Sequence, residues 1–382
     1  MSGQADIYQE LGLTVLGPLI ARFLIWLARK VREEPHLQLC FLSREGFLLL
    51  RCYEHFRGLP AVQQEFGALP GGIYLLSSRT ALMAAAQKSE DSQVESLLKN
   101  HAFEGELSEL FRVRFGCSSD TLKMVAAREG CGKVSLPRDL VRVMGIAMRY
   151  REALDHDAKL CREAYLRYLE GMNFFSKLPV GIVDIGFSAT QQQYLFLMTE
   201  QPMIGYYFLT TLNVRNKQSA QNRVTACFAE NVDPYCAPAI FRHNLLLEGM
   251  LAAPHGQLLG FETAATGSVE PVFNADRVPA EHWENILQIG GGALRYLDLL
   301  SAANPGCLSS VQFNDDLLQE SLVDLVKAQT PIDISHLRLT VEDDFCGNGM
   351  IDVIAQSRLV SSAWDNRQRS DCTGASLAKR MA

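Results

Sequence analysis

The chain has 382 residues, of which 48% are hydrophobic and 21% charged, a composition typical of an ordinary globular protein. Its formal net charge of -7 argues against broad binding to nucleic-acid backbones, so an anionic ligand would need a local pocket. The ten cysteines include no Cys-x-x-Cys pair, which argues against a zinc site and favours reduced thiols in a cytoplasmic protein.

The first apolar run, Leu11 to Leu27, contains Gly12, Pro18 and Arg22. It is short for a membrane span, and an arginine in its second half is costly in lipid. We expect a buried helix over residues 9–33, with an interfacial helix as the alternative. The polar N-terminus lacks the basic start of a secretory signal. The expected location is therefore the cytoplasm, with peripheral attachment to the inner membrane face as the variant.

The segment LQLCFLSREGFLLL, residues 37–50, reads as an apolar strand, a polar turn and a helix. Its turn contains Ser43, Arg44, Glu45 and Gly46. An arginine directly after a buried strand can bind a diphosphate through bidentate hydrogen bonds. The alternative is a surface salt bridge between Arg44 and Glu45.

A second strand is expected in GIYLLSSRTALMAAA, residues 72–86, and would end at Ser77, Ser78 and Arg79. Strand, helix and strand in this order predict a right-handed parallel crossover. Because parallel strands end at the same edge of a sheet, Arg44 and Arg79 should reach one ligand.

The segment GIVDIGFSATQQQYL, residues 181–195, is the strongest candidate for a phosphate site. A strand would end at Asp184, and a loop of small residues would lead to a helix opening at Gln191. Backbone N–H groups, two hydroxyls and the positive end of the helix would bind a terminal phosphate. The residues concerned are Gly186, Phe187, Ser188, Ala189, Thr190 and Gln191. Asp184 would bind sugar hydroxyls or Mg²⁺, and Phe187 could cover the site. The alternative is an ordinary turn in which Asp184 caps the helix.

A third candidate is RHNLLLEGMLAAPHGQLLGF, residues 242–261, in which His243, Glu248 and His255 flank an apolar helix. A carboxylate among apolar residues would have a raised pKa, which suits a general base that accepts a hydroxyl proton. The alternative is a capped helix end in which His255 is hydrogen-bonded.

The expected fold class is α/β: a parallel sheet formed by residues 1–86 and 173–265, with a helical insertion or cap at 87–172. Residues 213–280 should add strands or hairpins at one edge. We expect residues 266–382 to be mostly helical and to end in a polar tail from Ser361. The sequence has no G-x-G-x-x-G or Walker A signature and no D-x-D nucleophile after an N-terminal strand, which disfavours dinucleotide, P-loop and haloacid-dehalogenase chemistry.

The strings FLSREG, YLLSSR, VDIGFSATQ and LLEGMLAAPHGQLLGF resemble a domain of bacterial polysaccharide-biosynthesis proteins, often labelled a haloacid-dehalogenase-like hydrolase. The resemblance covers roughly residues 10–265, and the order of elements is similar to that of a type I phosphoribosyltransferase. Two differences stand out. The related polysaccharide domains usually read S-R-D-G, where this chain has Glu45 as the third residue. The phosphate motif of type I phosphoribosyltransferases has two adjacent acidic residues before the loop, where this chain has Asp184 followed by Ile185.

This resemblance implies a glycosyltransferase that moves 5-phosphoribosyl from phosphoribosyl diphosphate to a hydroxyl of an O-antigen or capsule acceptor, expected to be lipid-linked. It implies Mg²⁺ as cofactor with Asp184 as ligand, and a separate phosphatase that later leaves ribofuranose. Nucleic acid is not an expected partner. The catalytic residues would be Asp184, Glu248 and Arg44, and the substrate-binding residues Ser43, Glu45, Gly46, Arg79, Gly186, Phe187, Ser188, Ala189, Thr190, Gln191 and His255. Two alternatives stay open: a sugar phosphatase with Asp184 as nucleophile, and a non-catalytic sugar-phosphate-binding partner of a polysaccharide synthase.

Overall fold

The computed structural model describes residues 2–34, 37–87, 91–99, 102–177, 179–264, 267–274, 280–343 and 345–363. Its helices are α1 (Ser2–Leu11), α2 (Gly17–Val31), α3 (Gly46–Gly58), α4 (Pro60–Phe66), α5 (Arg79–Ala86), α6 (Asp91–Lys99), α7 (Leu107–Phe115), α8 (Ser119–Glu129), α9 (Leu140–Arg149), α10 (Arg151–Gly171), α11 (Thr190–Thr199), α12 (Ala239–Arg242), α13 (Asn244–Leu251), α14 (Ala280–Ala303) and α15 (Asp315–Val326). Its strands are β1 (Gln38–Leu42), β2 (Gly72–Leu75), β3 (Phe103–Glu106), β4 (Lys133–Leu136), β5 (Val180–Asp184), β6 (Met203–Thr211), β7 (Asn222–Val232), β8 (Leu258–Thr263), β9 (Val269–Phe273), β10 (Thr340–Asp343) and β11 (Gly349–Asp352).

Five parallel strands form the main sheet, in the order β2-β1-β5-β6-β7. The expected α/β class with a parallel sheet is therefore confirmed. The chain leaves β1 toward β2 on one side and later enters β5 on the other side, so the order reverses between β1 and β5. Open α/β sheets bind ligands outside the carboxyl ends of their strands at such a reversal.

Helices cover both faces of the sheet. Alternate strand residues point to opposite faces, so Phe41 and Tyr206 pack with α2, α3 and α14, whereas Cys40 and Ile182 pack with α5, α10 and α11. Strands buried on both sides need a nearly continuous apolar run, which is what made β1 and β5 recognisable in the sequence.

The expected N-terminal helix is divided into α1, a π-helical segment (Gly12–Leu16) and α2. A Cβ atom at Gly12 would collide with the carbonyl oxygen of Ile289 in α14, so the glycine permits this close packing. The stretch Ile7–Val31 is long and apolar enough to span a membrane, but 72% of its apolar window is buried inside the protein. Arg22 Nε lies 3.0 Å from Asp315 Oδ1, so the charge of the arginine has a partner inside the protein, which a lipid bilayer would not provide.

The expected helical insertion contains α6 to α10, but also an antiparallel pair formed by β3 and β4. Its buried side chains form a hydrophobic cluster of their own, which includes Phe111, Phe115 and Val143. Phe345, from the C-terminal region, is also a member of this cluster.

The prediction for the C-terminal half was wrong in part. Residues 213–280 do supply the expected strand at one edge of the sheet, β7, and the expected hairpin, formed by β8 and β9. The region expected to be mostly helical contains β9, which pairs with β8, and the hairpin of β10 and β11. The polar tail lies outside the described residues from 364 onward. Strands as short as β9, β10 and β11 are missed because four or five residues carry little periodic signal and their pairing depends on tertiary structure.

Candidate functional site

A cavity of about 880 Å³ opens at the carboxyl ends of the strands, where the sheet order reverses. It brings together most of the residues singled out in the sequence: Ser43, Arg44, Glu45, Arg79, Asp184, Gly186, Phe187, Ser188, Thr190, Gln191 and Glu248. Three chain segments that the sequence places far apart therefore share one site.

The turns after β1 and β2 are joined by hydrogen bonds. Ser43 Oγ donates to the carbonyl oxygen of Ser77 at 2.6 Å and accepts from the Ser77 N–H at 2.9 Å. Ser78 caps α5 by accepting from the Ala81 N–H at 2.9 Å. The Ser43–Arg44 peptide bond is cis. These contacts hold Arg44 and Arg79 at neighbouring strand ends.

Arg44 pairs with Glu342, a residue of β10, and not with Glu45. Its Nη2 donates to the Glu342 carbonyl oxygen at 3.1 Å, and its Nη1 lies 3.8 Å from the carboxylate. The carboxylate is buried and also accepts from the Gln257 N–H at 2.9 Å and from Asn274 Nδ2. The C-terminal hairpin thus orients Arg44. The alternative, a surface salt bridge between Arg44 and Glu45, is not formed.

Arg79 lies at the N-terminus of α5, and its guanidinium is 5.3 Å from the centroid of the Phe345 ring. The other guanidinium on this ring belongs to Arg114 of α7, which is fully buried and lies 3.5 Å from the centroid. Arg114 Nη2 donates to the carbonyl oxygen of Ala102, and burial lowers the pKa of its guanidinium to about 10. The cavity thus receives structural support from both the helical insertion and the C-terminal hairpin.

The loop after β5 differs from an ordinary capped turn. Asp184 accepts a hydrogen bond from the N–H of the next residue, Ile185, at 2.8 Å and does not cap α11. The N-cap of α11 is Ala189, whose side chain makes no capping hydrogen bond, so the first helical N–H groups have no side-chain cap. The N–H of Thr211 donates to the Phe187 carbonyl oxygen at 2.9 Å and anchors the loop to β6. The Gly186–Phe187 peptide bond is also cis.

Three carboxylates influence one another in the cavity. Burial raises the pKa of Asp184 well above its usual range, and the Glu45 carboxylate raises it further. Burial and then Glu45 raise the pKa of Glu248 to about 7, against the opposing effect of Arg79 and Arg44. Glu248 therefore changes charge near neutral pH, as a general base does. Asn244 Nδ2 donates to one of its oxygens at 3.3 Å.

The carboxylates of the cavity could hold Mg²⁺ only if a bound substrate supplied further oxygen ligands. Among the described residues no group of three or more His, Cys, Asp or Glu side chains is arranged for a metal ion. Mg²⁺ is commonly held by one or two carboxylates together with substrate phosphates, so a complete protein cage is not required. Asp184, with Glu45 nearby, offers the carboxylates, and their mutual repulsion is of the kind that a cation relieves.

Three of the expected substrate-binding residues do not line the cavity. Gly46 begins α3 and packs against the backbone of Phe41, and Ala189 is buried at the N-cap of α11. His255 contacts Tyr74, a residue of β2: its Nε2 is 2.7 Å from the Tyr74 hydroxyl. Its Nδ1 is 2.9 Å from the Gly256 carbonyl oxygen. This is the hydrogen-bonded histidine of the alternative interpretation. His243 is also buried away from the cavity, and burial lowers its pKa to about 4.

Sequence reasoning missed several lining residues: Lys217, Glu342, Asp343 and Phe345. Lys217 lies six residues beyond the end of β6, after a 3-10 helix, whereas Arg44 and Arg79 follow their strands by two and four residues, so the rule that singled out the arginines does not reach it. The other three lie in or beside β10, which no local pattern connects with the parallel sheet.

Comparison with models of known protein families and with curated protein sequences gives no match.

Proposed function

We propose that this protein is a phosphoribosyltransferase that moves 5-phosphoribosyl from phosphoribosyl diphosphate to a hydroxyl of a bacterial surface-polysaccharide acceptor. The observation that carries the proposal is the convergence of three turns on one cavity, two with an arginine and one with small residues. Arg44 and Arg79 follow β1 and β2, and the uncapped loop of small residues follows β5.

The strand order supports a donor with phosphates at both ends. Neighbouring strands lie about 4.8 Å apart, so the ends of β2 and β6 are separated by roughly 14 Å. The two arginines belong to the β2 and β1 side, and the Gly186 to Thr190 loop belongs to the β5 and β6 side. A pentose with a diphosphate at C1 and a phosphate at C5 would cross the sheet reversal, with its ring near Asp184.

In the proposed reaction the bond between ribosyl C1 and the diphosphate oxygen breaks, and the diphosphate leaves with the electron pair. The acceptor oxygen forms the new bond to C1 with inversion, and its proton passes to Glu248. Arg44 and Arg79 stabilise the negative charge that grows on the leaving diphosphate. Mg²⁺, when bound by Asp184 and the donor, would neutralise part of the same charge. The size of the cavity leaves room for an acceptor beside the donor.

The phosphatase alternative is less well supported. It needs an ionised carboxylate as nucleophile, and Asp184 is the candidate at a strand end. No D-x-D nucleophile follows an N-terminal strand in this sequence, and burial raises the pKa of the Asp184 carboxyl, which opposes its ionisation where no cation is bound. A transferase does not need Asp184 to attack.

Phosphorus NMR of the purified protein with phosphoribosyl diphosphate, Mg²⁺ and a panel of glycan acceptors tests the proposal. We expect acceptor-dependent diphosphate and a new sugar-linked phosphomonoester. Arg44→Met and Arg79→Met should each abolish diphosphate release, and Lys123→Met, an exposed position in α8, serves as control. Full activity in both arginine variants would contradict the proposal. Inorganic phosphate as the product would indicate a phosphatase, and tight binding without turnover a binding protein.

A further inference from the structure

Lys217 is the last residue of a short 3-10 helix (Leu212–Lys217) that follows β6. Its ammonium donates to the Ser188 carbonyl oxygen at 2.6 Å and to Thr190 Oγ1 at 2.8 Å, and the residue lines the cavity. A lysine ammonium has three N–H donors. Two bind the loop after β5, and the third has no hydrogen-bond partner within the described part of the chain.

The charge of Lys217 is not balanced by an acid. No described carboxylate lies within ion-pair distance of its ammonium. Burial lowers its pKa to about 8, and the charged group that shifts it further is another cation, Arg79. A partly buried ammonium without an anion is unfavourable. A bound anion would remove this cost.

The surroundings of Lys217 favour one class of anion. The first N–H groups of α11 lack a side-chain cap, and the hydroxyls of Ser188 and Thr190 lie in the same loop. Backbone N–H groups, hydroxyls and an ammonium together match a phosphate group with three terminal oxygens. Arg44 and Arg79, which we assign to the diphosphate, follow other strands.

We propose that Lys217 directly binds the 5-phosphate of the donor and makes this half of the cavity specific for a phosphomonoester. This inference rests on the proposed function. Neither its sequence position nor the resemblance of the four strings singled out this residue. It would act as a substrate-binding residue and not only as a brace for the loop.

Three variants separate charge from shape. Lys217→Met removes the charge and the donors, Lys217→Gln keeps a hydrogen-bond donor for Ser188 and Thr190 without the charge, and Lys217→Arg keeps the charge. Calorimetric titration with ribose 5-phosphate reports on this half of the cavity, and the unliganded melting temperature reports on folding. Lys123→Met, exposed on α8, is the control for a lost surface lysine.

We expect Lys217→Met and Lys217→Gln to weaken ribose 5-phosphate binding by about 10- to 100-fold, the effect of losing a charge-assisted hydrogen bond. Lys217→Arg should stay within about fivefold of the wild type. Inorganic diphosphate, added with Mg²⁺, should bind Lys217→Gln within about threefold of the wild type and should lose affinity in Arg44→Met.

Wild-type affinity in Lys217→Gln, or an equal loss in Lys217→Arg and Lys217→Gln, would overturn the role of the charge. If the wild type binds ribose 5-phosphate and the Lys217 variants give either of these results, this inference fails and the proposed function stands. A wild-type protein that binds neither ribose 5-phosphate nor phosphoribosyl diphosphate would overturn the proposed function as well. Lysine-dependent binding without any transfer would support the inference and contradict the transferase.

Discussion

The guanidinium of Arg114 lies 3.5 Å from the centroid of the Phe345 ring, and the ring also lies 5.3 Å from the guanidinium of Arg79. Arg114 belongs to the helical insertion, Phe345 follows β10, and Arg79 belongs to the parallel-sheet core. One aromatic ring therefore connects three parts of the chain beside the cavity. Its negative face attracts both cations, and this attraction offsets some of the repulsion between them.

Phe345→Leu should lower the free energy of unfolding by about 1–2 kcal/mol, because two cation–π contacts and some packing are lost. It should also weaken diphosphate binding several-fold, because Arg79 loses its support. Chemical denaturation and calorimetric titration with diphosphate measure the two effects. Phe111→Leu, in the same cluster and packed against Phe115, is the matched control and should lose stability only. Equal loss of diphosphate affinity in both variants would contradict the role of the ring.

Glu342→Gln should have opposite effects on stability and on binding. The carboxylate accepts from the Gln257 N–H and Asn274, so its loss should lower the unfolding free energy by about 1–2 kcal/mol. It also offsets the charge of Arg44, so a neutral side chain should tighten diphosphate binding about 3- to 10-fold. The Arg44 bond to the residue's carbonyl oxygen remains. In an Arg44→Met background the gain in affinity should disappear, and a gain that persists there would rule out this explanation.

Gly292→Ala should destabilise the fold by about 1–3 kcal/mol, because its Cβ would collide with the carbonyl oxygen of Gln9 where α14 packs on α1. Gly291→Ala is the matched control in the same helix. Nothing lies within 4 Å of its Cβ position, so alanine should stabilise the helix by about 0.5–1 kcal/mol. Thermal and urea unfolding distinguish the two variants, and a stabilising Gly292→Ala would refute the close packing of these helices.

Because of the Glu248 carboxyl, the free energy of unfolding should fall as pH rises from about 4.5 to about 7. Its folded-state pKa of about 7 lies above the ordinary value of 4.5, so the folded protein binds the proton more tightly than the unfolded chain does. The resulting stabilisation is complete below pH 4.5 and is lost as pH rises toward 7. In metal-free buffer, Glu248→Gln should therefore gain stability relative to the wild type between about pH 5 and pH 8.

Urea denaturation at several pH values measures this difference. Glu262→Gln, at an exposed position of β8, should show no such trend. In turnover assays the wild-type rate should rise through about pH 7 as Glu248 ionises, and the variant should lack that rise. A stability difference between the wild type and Glu248→Gln that does not change with pH would contradict the burial of this carboxyl.

The turns after β1, β2 and β5 could be predicted because their signals are local. A strand buried on both faces requires a continuous apolar run, and a polar or small-residue turn must follow where the backbone emerges at the sheet edge. Arg44, Arg79 and Asp184 were recognised in this way, and the parallel arrangement placed them at one edge. Lys217 was not reached in this way, because it stands six residues beyond the last residue of β6, at the end of a 3-10 helix.

Sequence by itself thus determined the α/β class, the buried N-terminal helix and the three turns that line the cavity. Only the tertiary structure decided that Glu342 orients Arg44 and that Phe345 joins Arg79 to Arg114. These pairs are separated by 231 to 298 residues along the chain, and no periodicity or turn chemistry relates such positions. Their proximity depends on how β10 and the insertion pack against the sheet, which is a property of the whole core and not of any segment.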